Sequence, residues 1–219
     1  MTYTCEGTII PTVHKIRDLG VIVDDTLSFR DQVMNIKYKS LKLISMLFKS
    51  LSSTSAALYL FAYLSFIIPT IEYGSFLFAL NSKNNIKTLE KIQRIFTRRL
   101  FLRCRAVGSV IPHYRERLRE FHLSTLENRF NRSDLLTLYK IINHGISVPS
   151  FQISFSTRHS HLIILRPVRL SLYKNSFFHR SLTDWNKCIK DRNLSPRDFS
   201  RLLSHLFSST HSADTTRTL

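Results

Sequence analysis

Between Asn85 and Arg105 the chain reads NIKTLEKIQRIFTRRLFLRCR, and this stretch constrains the fold more than any other. Stepped at about 100° per residue, it divides into two faces. Ile86, Leu89, Ile92, Phe96 and Leu100 run along one side, which must be buried against other elements. Lys83, Lys87, Lys91, Arg94 and Arg98 recur at steps of four, four, three and four on almost the opposite side. Cations held about 5–6 Å apart in one row match the regular negative charges of a phosphate backbone. The same row is also what the solvated face of an ordinary amphipathic helix would show if its polar residues were basic.

Charge distribution bears on that choice. The chain has 219 residues and a formal net charge of +17, a balance suited to a folded protein that meets a polyanion. Residues 1–80 carry seven Lys/Arg against six Asp/Glu, residues 81–135 thirteen against five, and residues 136–219 twelve against four. The basic excess therefore begins at the two-faced helix. Cys5, Cys104 and Cys188 are too widely spaced for a metal knuckle, which fits idle thiols in a reducing compartment. The start, MTYTCEGTIIPTVHK, has no basic residue followed by an apolar run, so an intracellular location is expected.

Upstream of the helix, VHKIRDLGVIVDDTLSF (13–29) reads as two short strands and a turn, with Leu19, Val21 and Val23 alternating. Asp24 and Asp25 invite comparison with paired metal-binding aspartates, but with Thr26 they form turn chemistry, and Ile22 stands where such pairs have Tyr or Phe. Val33, Ile36, Leu41, Ile44 and Leu47 describe a helix over 31–50, which Ser28 or Asp31 can cap. Ala56 to Ile68 is apolar nearly all round and is expected to be internal, ending or kinking at Pro69. The apolar run to Leu80 is long enough to span a bilayer, yet Pro69, Glu72 and Gly74 at its centre favour a broken pair of buried helices.

Downstream, HYRERLREF (113–121) reads as a short helix with Tyr114, Leu118 and Phe121 inward and Arg115, Arg117 and Arg119 outward. Ser124 and Glu127 form a capping box for a long helix that ends at Gly145. Residues 151–173 alternate as a hairpin would, Phe177, Phe178 and Trp185 suit a small core better than a base-stacking platform, and Ser195-Pro196 opens a last helix to about Phe207. The nine histidines are scattered, and His159 with His161 has no carboxylate or thiol nearby to complete a metal site. Of Arg115, Arg117, Arg119, Arg129 and Arg132, one or two are expected to pair with Glu116, Glu120 or Glu127.

Five stretches in this order resemble the C-terminal part of reverse transcriptases of non-LTR (LINE-type) retrotransposons. They are VHKIRDLGVIVDDTLSF with Leu19, Gly20, Asp24, Leu27, Ser28 and Phe29; YLFAYLSFIIPTIEYGS with Pro69, Glu72, Tyr73, Gly74 and Ser75; LEKIQRIFTRRL; HYRERLREFHLSTLENRF through YKIINHG; and NSFFHRSLTDWN. The resemblance covers about residues 13–207. It implies a mainly α fold: the end of a palm with a β-hairpin (1–29), a helical thumb-like bundle (30–147) and a small C-terminal α+β segment (148–207); the Ser/Thr-rich tail (208–219) is expected to be disordered. It also implies that the strands bearing the family's catalytic aspartates would precede residue 1, so no residue here takes a catalytic role and no cofactor or metal is expected.

The partner so implied is an RNA–DNA hybrid or another nucleic-acid duplex, gripped without sequence readout by Lys83, Lys87, Lys91, Arg94 and Arg98, with Arg99 and Arg103 as supporting contacts. The missing palm would be a second partner. Two readings stand beside this one: a basic membrane-associated protein anchored by residues 56–80, and a relic with no function.

Overall fold

A computed structural model describes residues 3–78, 82–105, 108–143, 146, 153–158, 161–165, 167–191 and 194–209. The fold is mainly α. Among the described residues its order is two short hairpins, β1 (Tyr3–Cys5) with β2 (Thr8–Ile10) and β3 (Lys15–Asp18) with β4 (Val21–Asp24), then ten α-helices. These are α1 (Arg30–Ser50), α2 (Ala56–Ala62), α3 (Ile68–Glu72), α4 (Ser75–Phe78), α5 (Lys83–Cys104), α6 (Tyr114–Glu120), α7 (Leu126–Asn143), α8 (Ser171–Lys174), α9 (Phe177–Cys188) and α10 (Pro196–Ser209). The β3–β4 hairpin is the one expected over 13–29. Leu19 and Gly20 turn it with φ of 44° and 85°, the paired left-handed geometry of a tight two-residue hairpin. The β1–β2 hairpin, turned by Glu6 and Gly7, was not anticipated.

Asp24 organises the bend between β4 and α1. Its carboxylate accepts from the backbone N–H of Thr26 (3.1 Å), Ser28 (2.9 Å) and Phe29 (2.8 Å) and from the hydroxyls of Thr26 and Ser28. Phe29, the residue before α1, is left-handed with φ 54° and has no side-chain cap of its own. The expected caps therefore play other parts. Asp31 pairs with Lys15, and Ser28 Oγ receives only a long 3.4 Å bond from Arg30 N.

The apolar stretch after α1 departs from expectation at Pro69. Helical structure continues through Pro69, because a π-turn over Tyr63–Ile67 precedes it. Ile68 N–H donates to the Tyr63 carbonyl five residues back, and Pro69 falls in the first turn of α3, where no donor is needed. Burial also differs. Tyr59, Tyr63, Ile67, Ile68 and Ile71 are buried, but Leu58, Phe61, Leu64 and Phe66 lie on an exposed face. The helix breaks instead at Tyr73-Gly74, where φ of Gly74 is +68° and a Cβ would stand 3.1 Å from Val21 Cγ2. Among the described residues no helix is long and apolar enough to cross a membrane.

Two apolar cores result. The first joins β4, α1, α2, the π-turn, α3 and α5, with Tyr63 stacked on Phe96 (ring centroids 3.9 Å) and Phe48 on Tyr59 (4.8 Å). Each fully buried Ile, Leu or Phe contributes about 1.5–3 kcal/mol. The second gathers Leu135, Leu138, Tyr139, Ile163, Leu182, Trp185, Phe199 and Leu203. α7 serves both, with Phe130 in the first and Leu135 in the second. Thr125, not Ser124, caps α7: its Oγ1 accepts from Asn128 N–H at 3.2 Å.

Among the described residues, the hairpin expected over 151–173 is represented by one antiparallel bridge, Phe155 to Ile163, and residues 171–174 form α8. Asn186 takes the place of a strand partner, its amide accepting from Ile163 N–H and donating to Ile163 O, both at 2.8 Å. α10 continues through Ser209, two residues into the expected tail, and the remainder of that tail lies outside the described residues.

Candidate nucleic-acid interface

Ser82 opens α5, its Oγ accepting from Asn84 N–H at 3.1 Å. Leu89, Ile92, Phe96 and Leu100 are fully buried, which fixes the rotation of the helix and turns the basic row outward. Lys83, Lys87, Lys91, Arg94 and Arg98 lie on that outward side. Lys83, Lys87, Lys91 and Arg98 make no hydrogen bond or ion pair with any described residue. Arg94 differs, since its guanidinium carbon lies 4.2 Å from the centre of the Tyr114 ring. Arg99 and Arg103 are not in the row. They stand about 100° or more further round the helix and reach to α1, where Arg99 donates to Ser45 Oγ (3.1 Å) and Arg103 to Phe48 O (2.8 Å).

Behind the row lies a buried polar network that sequence reasoning missed. Glu90 accepts from the Tyr114 hydroxyl and, through its other oxygen, from Leu126 N–H at 2.9 Å, so it sits on the N-terminal end of α7. Burial pushes its carboxyl pKa up, against the hydrogen bonds of Tyr114 and Leu126. Gln93 is fully buried, accepting from Tyr63 Oη (3.1 Å) and donating to Tyr114 Oη (3.2 Å) and Ser124 O (2.8 Å). The signal available was positional, because Gln93 falls within the apolar arc of α5 and Glu90 at its edge. This network backs a groove of about 700 Å³ whose lip carries Lys87, Lys91, Arg94 and Arg115.

The arginines of α6 do not all face outward. Arg117 is 7% exposed and donates to Thr97 Oγ1 (3.3 Å) and Pro112 O (2.6 Å). Arg129 pairs with Glu72 at 2.8 Å, and Glu120 takes Arg105, so neither pairing is the expected one. Among the described residues no group of three His, Cys, Asp or Glu could hold a metal ion, and His159 lies outside them. Phe177 and Phe178 are half-buried and Trp185 is fully buried, so Trp185 offers no free face for stacking.

The residues that carry the sequence resemblance have structural work. Glu72 joins α3 to α7 through Arg129. Tyr73 donates to Leu19 O at 2.7 Å and so holds the β3–β4 turn. Arg180 forms a 2.8 Å ion pair with buried Asp134 on α7 and donates to Phe76 O (2.6 Å) and Asn175 O (2.7 Å). Trp185 Nε1 donates to His161 O at 3.2 Å.

No protein-family model matches the chain, and no solved structure matches it. An uncharacterized protein of Caenorhabditis elegans is 25% identical over 136 residues, which is 62% of this chain and 67% of that protein.

Proposed function

We propose that this chain binds the phosphate backbone of duplex nucleic acid without reading sequence, RNA–DNA hybrid foremost, through the outer face of α5. In this reading it is the C-terminal part of a LINE-type reverse transcriptase and has no polymerase chemistry of its own. One observation carries the proposal: Lys83, Lys87, Lys91 and Arg98 form an outward row without a single acidic partner among the described residues. From Lys83 to Arg98 the row is about 22 Å long at 1.5 Å per residue. That length faces about six phosphates of one strand. The exposed face of Leu58, Phe61, Leu64 and Phe66 is the seat offered to the remainder of such a polymerase.

The test is binding of a labelled RNA–DNA hybrid as a function of salt. Four unpaired cations give a slope of log K against log salt of about −3.6, so affinity falls about 150-fold between roughly 50 and 200 mM. Reversing Lys87, Lys91 and Arg98 to Glu abolishes binding. Arg94 is left out of that set because its contact with Tyr114 would confound charge with packing. Binding that survives the triple reversal, or that ignores salt, defeats the assignment.

A further inference from the structure

α1 carries a second cationic face, which uses no residue of the α5 row. Between Asp31 and Glu72 the chain has four lysines, Lys37, Lys39, Lys42 and Lys49, and no acidic residue. Val33, Ile36 and Ile44 bury the inner side of α1, which leaves Tyr38, Lys39, Lys42, Met46 and Lys49 in an outward arc about 100° wide. Lys39, Lys42 and Lys49 are exposed and make no hydrogen bond or ion pair with any described residue. Arg99 and Arg103 bring two more cations from α5 to the flank of this arc, at Ser45 and Phe48. Their acceptors there are a hydroxyl and a backbone carbonyl, both neutral, so no carboxylate among the described residues offsets either charge. Like charges gathered this closely repel one another, and a polyanion is the partner that relieves them.

The arc is not purely ionic. Tyr38 is 65% exposed and Met46 57%, and Tyr38 makes no hydrogen bond or ring contact with any described residue. Tyr38 stands one turn from Lys42, and Met46 one turn further on, so an open aromatic face and a thioether are interleaved with the cations. A duplex keeps its bases stacked inside and presents its backbone, for which lysines alone suffice. A single strand offers unpaired bases that stack on an aromatic ring while cations follow its phosphates. From Tyr38 to Lys49 the arc is about 16 Å long at 1.5 Å per residue.

We infer that the outward face of α1 binds single-stranded nucleic acid, with an unpaired base stacked on Tyr38 and phosphates held by Lys39, Lys42 and Lys49. This goes beyond the α5 row and does not depend on it. The experiment is fluorescence anisotropy of a labelled oligothymidylate of about 12 nucleotides, which forms no duplex, titrated with the full chain in about 150 mM chloride. The expected result is saturable binding, weakened at least about fivefold in Tyr38→Ala and about tenfold or more when Lys39, Lys42 and Lys49 are all changed to Gln. Tyr38→Phe keeps the ring and so keeps the binding. All four side chains are exposed, so these variants retain the fold, which their melting temperatures check. Changing Lys87, Lys91 and Arg98 to Gln tests the α5 row separately and leaves oligothymidylate binding in place. Absence of saturable binding overturns the inference, and so does binding that only the α5 variant abolishes. Binding lost in the lysine variant but untouched in Tyr38→Ala overturns it as well, since the face would then hold any polyanion. Cosedimentation with phosphatidylserine vesicles, lost in the lysine variant, in a protein that ignores the oligonucleotide would put a membrane on this face instead.

Discussion

Replacing Asp24 with Ala removes the acceptor for five donors at once. Three are backbone N–H groups, of Thr26, Ser28 and Phe29, in the bend that leads into α1. Asp24 is 9% exposed, so water cannot serve these donors fully. A helix cap lost to Ala costs about 1–2 kcal/mol, and a hydrogen bond to a charged group about 1.5–3 kcal/mol, without full additivity. We expect a loss of about 3 kcal/mol, which lowers the melting temperature of a chain this size by about 6–12 °C. Asp24→Asn recovers only part of this, because an amide NH2 must then face either the Phe29 or the Ser28 N–H.

The pH series adds a sign. Burial alone would raise the Asp24 pKa, but the hydrogen bonds from Thr26, Ser28 and Phe29 outweigh it and hold the carboxyl well below the usual range. Its contribution is therefore complete above the unfolded value near about 3.9 and is lost as pH falls through the lower, folded value. Thermal and urea unfolding at neutral pH and near about pH 3 would measure both effects. An Asp24→Ala protein within about 0.5 kcal/mol of the parent at neutral pH, the range of an inconsequential surface change, would refute the capping role. Stabilisation by millimolar Mg²⁺ that disappears in the variant would restore the metal reading.

The Asp134–Arg180 pair titrates the other way. Burial pushes the Asp134 carboxyl up to about 6 despite the Arg180 hydrogen bond, so this group's contribution falls as pH rises from about 4 to about 6, and Asp134→Asn should flatten that part of the stability curve. Arg180→Met leaves the buried carboxylate alone and should cost about 3–5 kcal/mol by urea unfolding at mildly alkaline pH. Gly74→Ala should cost about 1–2 kcal/mol, since φ of +68° is unfavourable for alanine and the new methyl meets Val21 at 3.1 Å. A neutral result in the melting temperature would mean that the Tyr73-Gly74 break can relax.

Much of this fold was legible because it rests on local pattern. The periods of α1, α5 and α7, the 13–29 hairpin and the Ser195-Pro196 opening of α10 come from residues within one or two turns of each other. What escaped depended on distant partners. Arg117 alternates with Arg115 and Arg119, and nothing local marks it for burial; Thr97 and Pro112 decide that. Pro69 reads as a helix stop until the π-turn before it supplies the missing geometry. Residues 151–173 alternate like strands, but among the described residues the pairing is one bridge, Phe155 to Ile163, and Asn186 on α9 takes the remaining backbone groups of Ile163. In the candidate interface the row itself was readable from angles alone. Arg99 and Arg103 could have been separated from it by the same angles, which carry them round to α1.

α7 belongs to both cores, and this limits how the chain can be divided. A polypeptide stopped after Asn143 would retain the whole helix yet strip Leu135, Leu138 and Tyr139 of Trp185, Phe199 and Leu203, leaving an apolar ridge in water. A polypeptide begun at Ile153 would keep α9 and α10 but lose the floor on which they rest. The two halves are thus not cassettes that recombination or trimming can exchange freely. Whatever evolutionary or experimental cut is made, α7 must be inherited with both of its neighbours, and a viable shorter version has to be shortened at its ends.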